Sequence, residues 1–248
     1  MKTRILLSAA AAAALMATPV FAETTGYVGA FYGNTEIDTP IGDADADAWG
    51  LQGAVAAGEV GGINFQADAS YMNADDFDAD TFSGTAHLFT RQEGYALGGF
   101  VGYTDTDGAD AWFIGAEGAK FFEQVTLAAS VGYGDMNDLD ADLWGGNVEA
   151  RFFATDNFRI DGRLGYANVD TGFGDADTWN IGIGAEYQLE AAPVSFFAGY
   201  DRQEIDDVDV DVNTLTVGVR YNWGGTLKDR DRSGATFRPL GGFSGIAF

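Results

Sequence analysis

The stretch Gly132-Tyr133-Gly134-Asp135-Met136-Asn137-Asp138-Leu139-Asp140-Ala141-Asp142-Leu143-Trp144 decides the fold, because the rest of the chain varies it. An aromatic residue closes one run of alternating apolar and polar residues. An acidic stretch follows, and Asp-x-Asp-x-Trp opens the next run. The ending recurs at Asp45–Trp49, Asp78–Phe82, Gly108–Trp112, Asp175–Trp179 and, in altered form, Asp211–Leu215. The beginning recurs as Tyr32, Tyr71, Tyr103, Tyr166 and Tyr200, each ahead of an acidic stretch. The closing residues 49, 82, 112, 144, 179 and 215 are spaced by 33, 30, 32, 35 and 36. Self-similarity at such a period marks a repeated supersecondary unit. The period inside each unit is two rather than 3.6, so the unit is a β-hairpin. Six hairpins predict about twelve strands.

Residues 1–22 read as a secretory signal peptide: basic Lys2 and Arg4, an apolar run from Ile5 to Ala17 broken only by Ser8, and the small-residue site Val20-Phe21-Ala22. Its removal takes two positive charges from a chain already at −25, which argues against nucleic acid as a partner. There are no cysteines, so neither disulfides nor Cys-based metal sites are available. After the leader no apolar run approaches the ~18 residues of a membrane helix. Pro40, Pro193 and Pro239 all fall outside the alternating runs, as strands require. An exported, strand-rich, aromatic chain of this kind is either a soluble β protein or an outer-membrane barrel.

The parity of the runs chooses between them. Trp144, Gly146, Val148, Ala150 and Phe152 oppose Gly145, Asn147, Glu149 and Arg151, and Trp179, Ile181, Ile183, Ala185 and Tyr187 oppose Asn180, Gly182, Gly184 and Glu186. Runs of about ten residues suit a tilted strand crossing a bilayer. The apolar face carries an aromatic at each end, with Trp49, Phe82, Trp112, Trp144 and Trp179 opening runs and Tyr103, Tyr133, Tyr166 and Tyr200 closing them. Rings at both ends of one face fit the two headgroup regions, and a soluble sandwich has no reason to place them there. Short connections alternate with longer acidic ones such as 33–47, 72–80 and 202–213, the expected pattern of short periplasmic turns and longer external loops. The expected architecture is an all-β, antiparallel up-and-down transmembrane barrel over residues 23–223, with a 224–248 extension that is periplasmic or enters the lumen.

Leader, hairpin periodicity and aromatic girdles together resemble a Gram-negative outer-membrane porin-like β-barrel. The run Thr216-Val217-Gly218-Val219-Arg220-Tyr221-Asn222-Trp223 is also similar to the last-strand signal that such proteins present to the barrel-assembly machinery, with Gly218, Tyr221 and Trp223 at its key positions. In that family the signal usually ends the chain, whereas here the sequence continues to Phe248. The resemblance implies the outer membrane, with lipid and lipopolysaccharide around the barrel, small hydrophilic solutes or ions inside it, and homo-oligomers as a possibility.

The inward set reads as mostly Gly, Ala, Ser, Thr, Asn and Gln with few bulky side chains, so a wet passage is expected. Charge concentrates on one hairpin: Glu149 and Arg151 descending, Arg159, Asp161 and Arg163 ascending. Facing acids and bases set up a transverse field that selects solutes, or else neutralise each other as a structural cluster. Asp68, Glu117 and Arg220 (with Glu186 and Asp201) add charge on other walls. The external pairs Asp45/Asp47, Asp140/Asp142 and Asp175/Asp177 invite weak divalent-cation binding or bridging to lipopolysaccharide, although Asp43–Asp47 lacks the Gly and Glu of an EF-hand loop. The alternative is a solvated, turn-forming acidic face. Either way a negative mouth leans toward cations.

His87 is the only histidine and falls on the lumen face, so neither a two-His metal site nor a lipid-facing Ser-His-acid triad is expected, and no cofactor. The tail carries Lys228, Arg230, Arg232 and Arg238 and is basic on an acidic protein; it is read either as a lumen plug or as a free terminus. Two functions follow: a passive porin with a cation-leaning mouth, or a poorly conducting barrel that makes surface contacts through its acidic loops.

Overall fold

The computed structural model describes residues 24–74, 79–106, 109–136, 141–172, 174–206 and 209–238, apart from the side chains of 59 and 60. The leader expected at 1–22, Asp140 and the chain end from 239 onward lie outside them. Twelve strands follow in order: β1 Thr25–Thr39, β2 Gly42–Val60, β3 Ile63–Ala74, β4 Ala79–Gln92, β5 Tyr95–Thr106, β6 Ala109–Phe121, β7 Val125–Met136, β8 Ala141–Thr155, β9 Phe158–Thr171, β10 Gly174–Gln188, β11 Val194–Ile205 and β12 Val210–Trp223. Each pairs antiparallel with its sequence neighbours, and β1 closes the barrel on β12 from Gly26↔Trp223 to Asp38↔Asp211. The ring is closed and leaves no sheet edge open, which a membrane demands of a strand protein; the register shifts only near two short turns, at Ala57/Val60 and Phe153/Thr155.

The parity expected from sequence is the parity observed. Leu51, Ile114, Val131, Val148, Leu164, Ile181 and Ile183 stand on the outer face with about half of their surface exposed. In a membrane this belt meets lipid rather than water. The girdle residues flank it: Trp49, Trp112, Trp144 and Trp179 are exposed on the outside, as are Tyr133 and Tyr200, while Phe82, Tyr103 and Tyr166 are half-buried on the same face. Rings of neighbouring strands touch, Trp144 with Tyr166 at 5.3 Å and Tyr166 with Trp179 at 4.8 Å between centroids.

Two expectations are corrected. The acidic segments are largely strand rather than loop: β1 and β2 run out to Thr39 and back from Gly42, and β9 and β10 to Thr171 and from Gly174. Asp-Ala-Asp-Ala carries period-two alternation of its own, and that alternation outweighs the turn preference of Asp. The barrel wall therefore extends past the girdle before it turns.

The second correction concerns the lumen, which is not lined by small residues alone. Phe31, Phe100, Phe113 and Phe197 point inward, and each sits directly across the ladder from a glycine: Gly50, Gly115, Gly134 and Gly218 respectively. At each of these glycines an added Cβ would run into the partner ring. The rings lie flat on the neighbouring strand, and the glycines that suggested an empty passage are their seats.

Beyond β12 the chain turns back. Gly224 and Gly225 take φ of 90° and 109°, values that favour glycine, and direct the tail into the end of the barrel that carries the short turns. A helix of about two turns, α1 (Leu227–Ser233), forms there under a capping box in which the side chain of Thr226 accepts from the Asp229 amide and Asp229 accepts from the Thr226 amide.

Candidate pore-lining site

The tail lies inside the wall and is held by charged and polar groups from around the barrel. Arg91 on β4 donates to the carbonyl of Arg232, the carbonyl of Gly234 (2.8 Å) and Thr236 Oγ1 (2.7 Å). Arg151 on β8 donates to Asp231 and to the carbonyl of Thr236, both at 2.6 Å, and Thr126 on β7 donates to the same Asp231 at 2.5 Å. Arg230 reaches the opposite wall, Asn222 on β12 at 2.5 Å and Gln188 on β10 at 3.2 Å. The Gln66 amide of β3 pairs with both backbone groups of Phe237, donating to its carbonyl at 2.8 Å and accepting from its N–H at 3.2 Å. Phe237 stacks on His87, with centroids 6.0 Å apart and planes 10° apart. His87 itself lies between Asp68 and Glu117, each at 2.8 Å.

Next to the tail lies a chamber of about 200 Å³ walled by Arg159, Arg163, Arg220, Arg238, Asp161 and Asp201, with Phe31, Phe197, Gln52 and Thr216 between them. Its ion pairs form one network. Asp161 meets Arg159 and Arg163 at 3.2 Å and Arg238 at 2.9 Å. Arg163 also pairs with Asp201, and Arg238 with Glu149, whose other oxygen holds Arg151 at 2.6 Å. Glu186 is shared by Arg220 (2.6 Å) and Arg159 (3.2 Å) and accepts from Ser195 at 2.6 Å. The Arg220 guanidinium lies between the rings of Tyr27 and Phe197, 4.4 and 4.2 Å from their centroids. Cation–π contact on two sides fixes its plane and leaves its edge for hydrogen bonds. Asp161, Asp201, Glu149 and Glu186 balance Arg159, Arg163, Arg220 and Arg238, so the chamber is a charge-matched site inside a strongly acidic protein.

All five residues of the 149–163 hairpin thus enter one network, and Arg220 joins it through Glu186. Asp68 and Glu117 belong to a separate cluster around His87. The strand register places Arg151 opposite Asp161 and Glu149 opposite Arg163, yet Arg238 of the tail reaches both Glu149 and Asp161. Sequence reasoning gave Glu186 too little weight and missed Asp231 and Arg238 as partners. The signal for the tail was present in Thr226-x-x-Asp229, a helix start following two glycines. Opposite the chamber, Phe100, Ala111, Phe113, Leu143 and Ala167 form an apolar cluster that narrows the lumen from the β5–β9 side.

At the other end the repeated motif becomes a repeated contact. Tyr32 and Asn34 both donate to Asp47 (2.7 and 2.9 Å), Tyr71 and Asn73 to Asp80 (2.7 and 2.9 Å), and Tyr166 and Asn168 to Asp177 (both 2.8 Å). Tyr133 donates to Asp142, and Tyr200 to Asn213 at 2.7 Å. Hydrogen bonds to the charged form hold Asp47 and Asp177 below the usual carboxylate range, chiefly from Tyr32 in the first case and Asn168 in the second. Of the aspartates considered for divalent cations, Asp47, Asp142 and Asp177 are therefore acceptors for their own hairpins. Asp45 lies across from Glu36 and Asp175 across from Asp170. Among the described residues no group of three acidic or histidine side chains is arranged to hold a metal ion.

A closed twelve-strand barrel with an apolar outer belt, aromatic girdles and a charged inner chamber defines a channel-type barrel of the bacterial outer membrane. The chain belongs to the Gram-negative porin family, whose model matches residues 60–228. No curated protein sequence matches it. Among solved structures, an outer membrane channel from Pseudomonas putida F1 is similar over 84% of this chain and 97% of its own, at 12% identity and a TM-score of 0.60. The KdgM porin in complex with oligogalacturonate is similar over 79% and 99%, at 10% identity and 0.51. The β domain of the Bordetella autotransporter BrkA is similar over 80% and 100%, at 17% identity and 0.53. At these identities the likeness is one of fold.

Proposed function

We propose that the protein is a passive diffusion porin for small hydrophilic solutes, with two charge filters in series. The observation that carries this reading is the arginine-rich chamber in the lumen. Its charges face one another across a polar space of about 200 Å³, whereas a purely structural barrel could fill that space with apolar side chains. The outer filter is the acidic rim, where carboxylates stand on strands projecting beyond the girdle and gather cations at the mouth. The inner filter is the Arg/Asp network, which orients water and dipolar solutes and slows ions of either sign. The residues assigned to the constriction are Glu149, Arg151, Arg159, Asp161, Arg163 and Arg220. Asp68 and Glu117 act further down, by holding His87 under the tail. Gly218, Tyr221 and Trp223 present the assembly signal from the last strand, and the acidic rim meets lipopolysaccharide. No residue is assigned a catalytic role.

The seated tail favours a second reading, in which the barrel conducts little and serves through its surface. Single-channel recording in a planar bilayer, with the reversal potential in a salt gradient, separates the two. Discrete conductance with a modest preference for cations is the expected result. A folded barrel that passes no current refutes the porin reading.

A further inference from the structure

The outer face of the barrel carries a second concavity, separate from the lumen. It encloses about 950 Å³ and crosses the wall from β5 to β10. Ala129, Ala150 and Gly162 form its floor, and Leu127, Val148 and Leu164 rise around them; all six have lipid-facing parity. At Gly162 an added Cβ would meet nothing within 4 Å, so the hollow is open there. Lys120 closes one end, exposed, with its ammonium 5.9 Å from the centre of the Tyr95 ring. Lys120 and Tyr95 pair across the ladder beside the β4–β5 turn, so they lie where the apolar belt gives way to headgroups at the turn end.

A lysine on a lipid-facing position is tolerated when its ammonium snorkels to the interface, and there a lipid phosphate is the anion that its charge attracts. The hollow extends from that anion position into the hydrocarbon. Five strand spacings of ~4.8 Å make ~24 Å along the wall. With strands tilted ~45°, the hollow rises ~17 Å, close to one leaflet's half of the ~30 Å hydrocarbon core. We propose that this hollow binds one anionic diacyl phospholipid of the periplasmic leaflet, with its phosphate on Lys120 and its acyl chains over Ala129, Ala150 and Gly162. A second copy of the chain is the competing occupant, since its exposed turn carboxylates such as Glu93 and Glu123 lie at the same end as Lys120, and the test below separates the two.

The test is native mass spectrometry of the folded, detergent-released protein titrated with phosphatidylglycerol, in parallel with Lys120→Gln and Gly162→Phe. The first variant removes the charge, and the second fills the open floor where a side chain has room. Heat-modifiable gel mobility establishes that each variant is folded. The wild type is expected to retain one phosphatidylglycerol, and each variant to bind it at least about five-fold more weakly, the scale of one lost cation–headgroup contact. Equal retention by all three proteins overturns the proposal. So does an oligomer that Gly162→Phe dissociates while lipid retention stays unchanged. Neither result depends on whether the barrel conducts.

Discussion

Removing the tail after Trp223 should widen the passage, and the geometry sets the size of the effect. Twelve strands ~4.8 Å apart and tilted ~40° give a backbone circle about 24 Å across. A side-chain layer ~3 Å deep on each side, the difference between bare and clothed helix radii, leaves a lumen about 18 Å wide. Helix α1 has 7 residues; it is ~10 Å long and ~11 Å thick, so it covers a similar disc in any orientation. That disc is over a third of the lumen, and residues 234–238 cover more. Open area, and with it single-channel conductance, should rise at least about 1.5-fold on deletion of 224–248. Arg151 keeps Glu149 as a partner and Asp161 keeps Arg159 and Arg163, so the wall remains paired and folded. The assay is single-channel recording at fixed salt, with gel mobility as the folding control. A folded, truncated barrel with wild-type conductance would refute the inference that the tail limits flow.

Three further outcomes follow. Arg220→Met leaves Glu186 with Arg159 as its remaining ion-pair partner and should lower stability by about 3 kcal/mol, the lower end for breaking a buried pair, read as a fall in the temperature of the gel-mobility transition; no change would mean that Arg220 is not holding Glu186. Gly218→Ala must displace the Phe197 ring and should cost about 1–3 kcal/mol, whereas Gly162→Ala enters open space and should be neutral or gain about 0.4–1 kcal/mol; similar effects at both sites would refute the seating of rings on glycines. Asp47, Asp80 and Asp177 have lowered native pKa values, so their contribution is present above the unfolded value of ~3.9 and is lost as pH falls through the native values. Protease resistance of the external hairpins should hold from neutral pH to about pH 5 and fall below about pH 4; loss already near pH 6 would contradict this.

The wall was legible in the sequence because a strand in a membrane barrel has only two faces, and one of them must be apolar. Trp144 to Phe152 and Trp179 to Tyr187 could therefore be oriented from parity alone. The acidic segments were misread because Asp and Gly also favour turns; only partner strands such as Asn34 beside Asp47 show that the alternation continues. The charged site was half legible. Glu149, Arg151, Arg159, Asp161 and Arg163 share a hairpin, and their proximity is local. Their partners Asp231 and Arg238 come from a segment with no fixed register, and nothing in the sequence specifies how deep it seats. The Phe–Gly pairs escaped for a different reason. Phe31 and Gly50 are both ordinary lumen residues, and only the ladder register brings one over the other.

A thin-walled cylinder flattens easily, and among the described residues the tail braces this one at the turn end. Arg91, Thr126, Arg151, Gln188 and Asn222 hold the tail from β4, β7, β8, β10 and β12, like spokes running from a hub to separate points on a rim. That arrangement keeps the turn end round against lateral pressure from the bilayer. The hub spans the closing seam, because the tail touches both strands that form it, the Ala235 amide on Thr25 of β1 and Arg230 on Asn222 of β12. Residues 224–238 thus act as a fastener across the closed ring, and their loss should leave the mouth much as it was while letting the opposite end go oval.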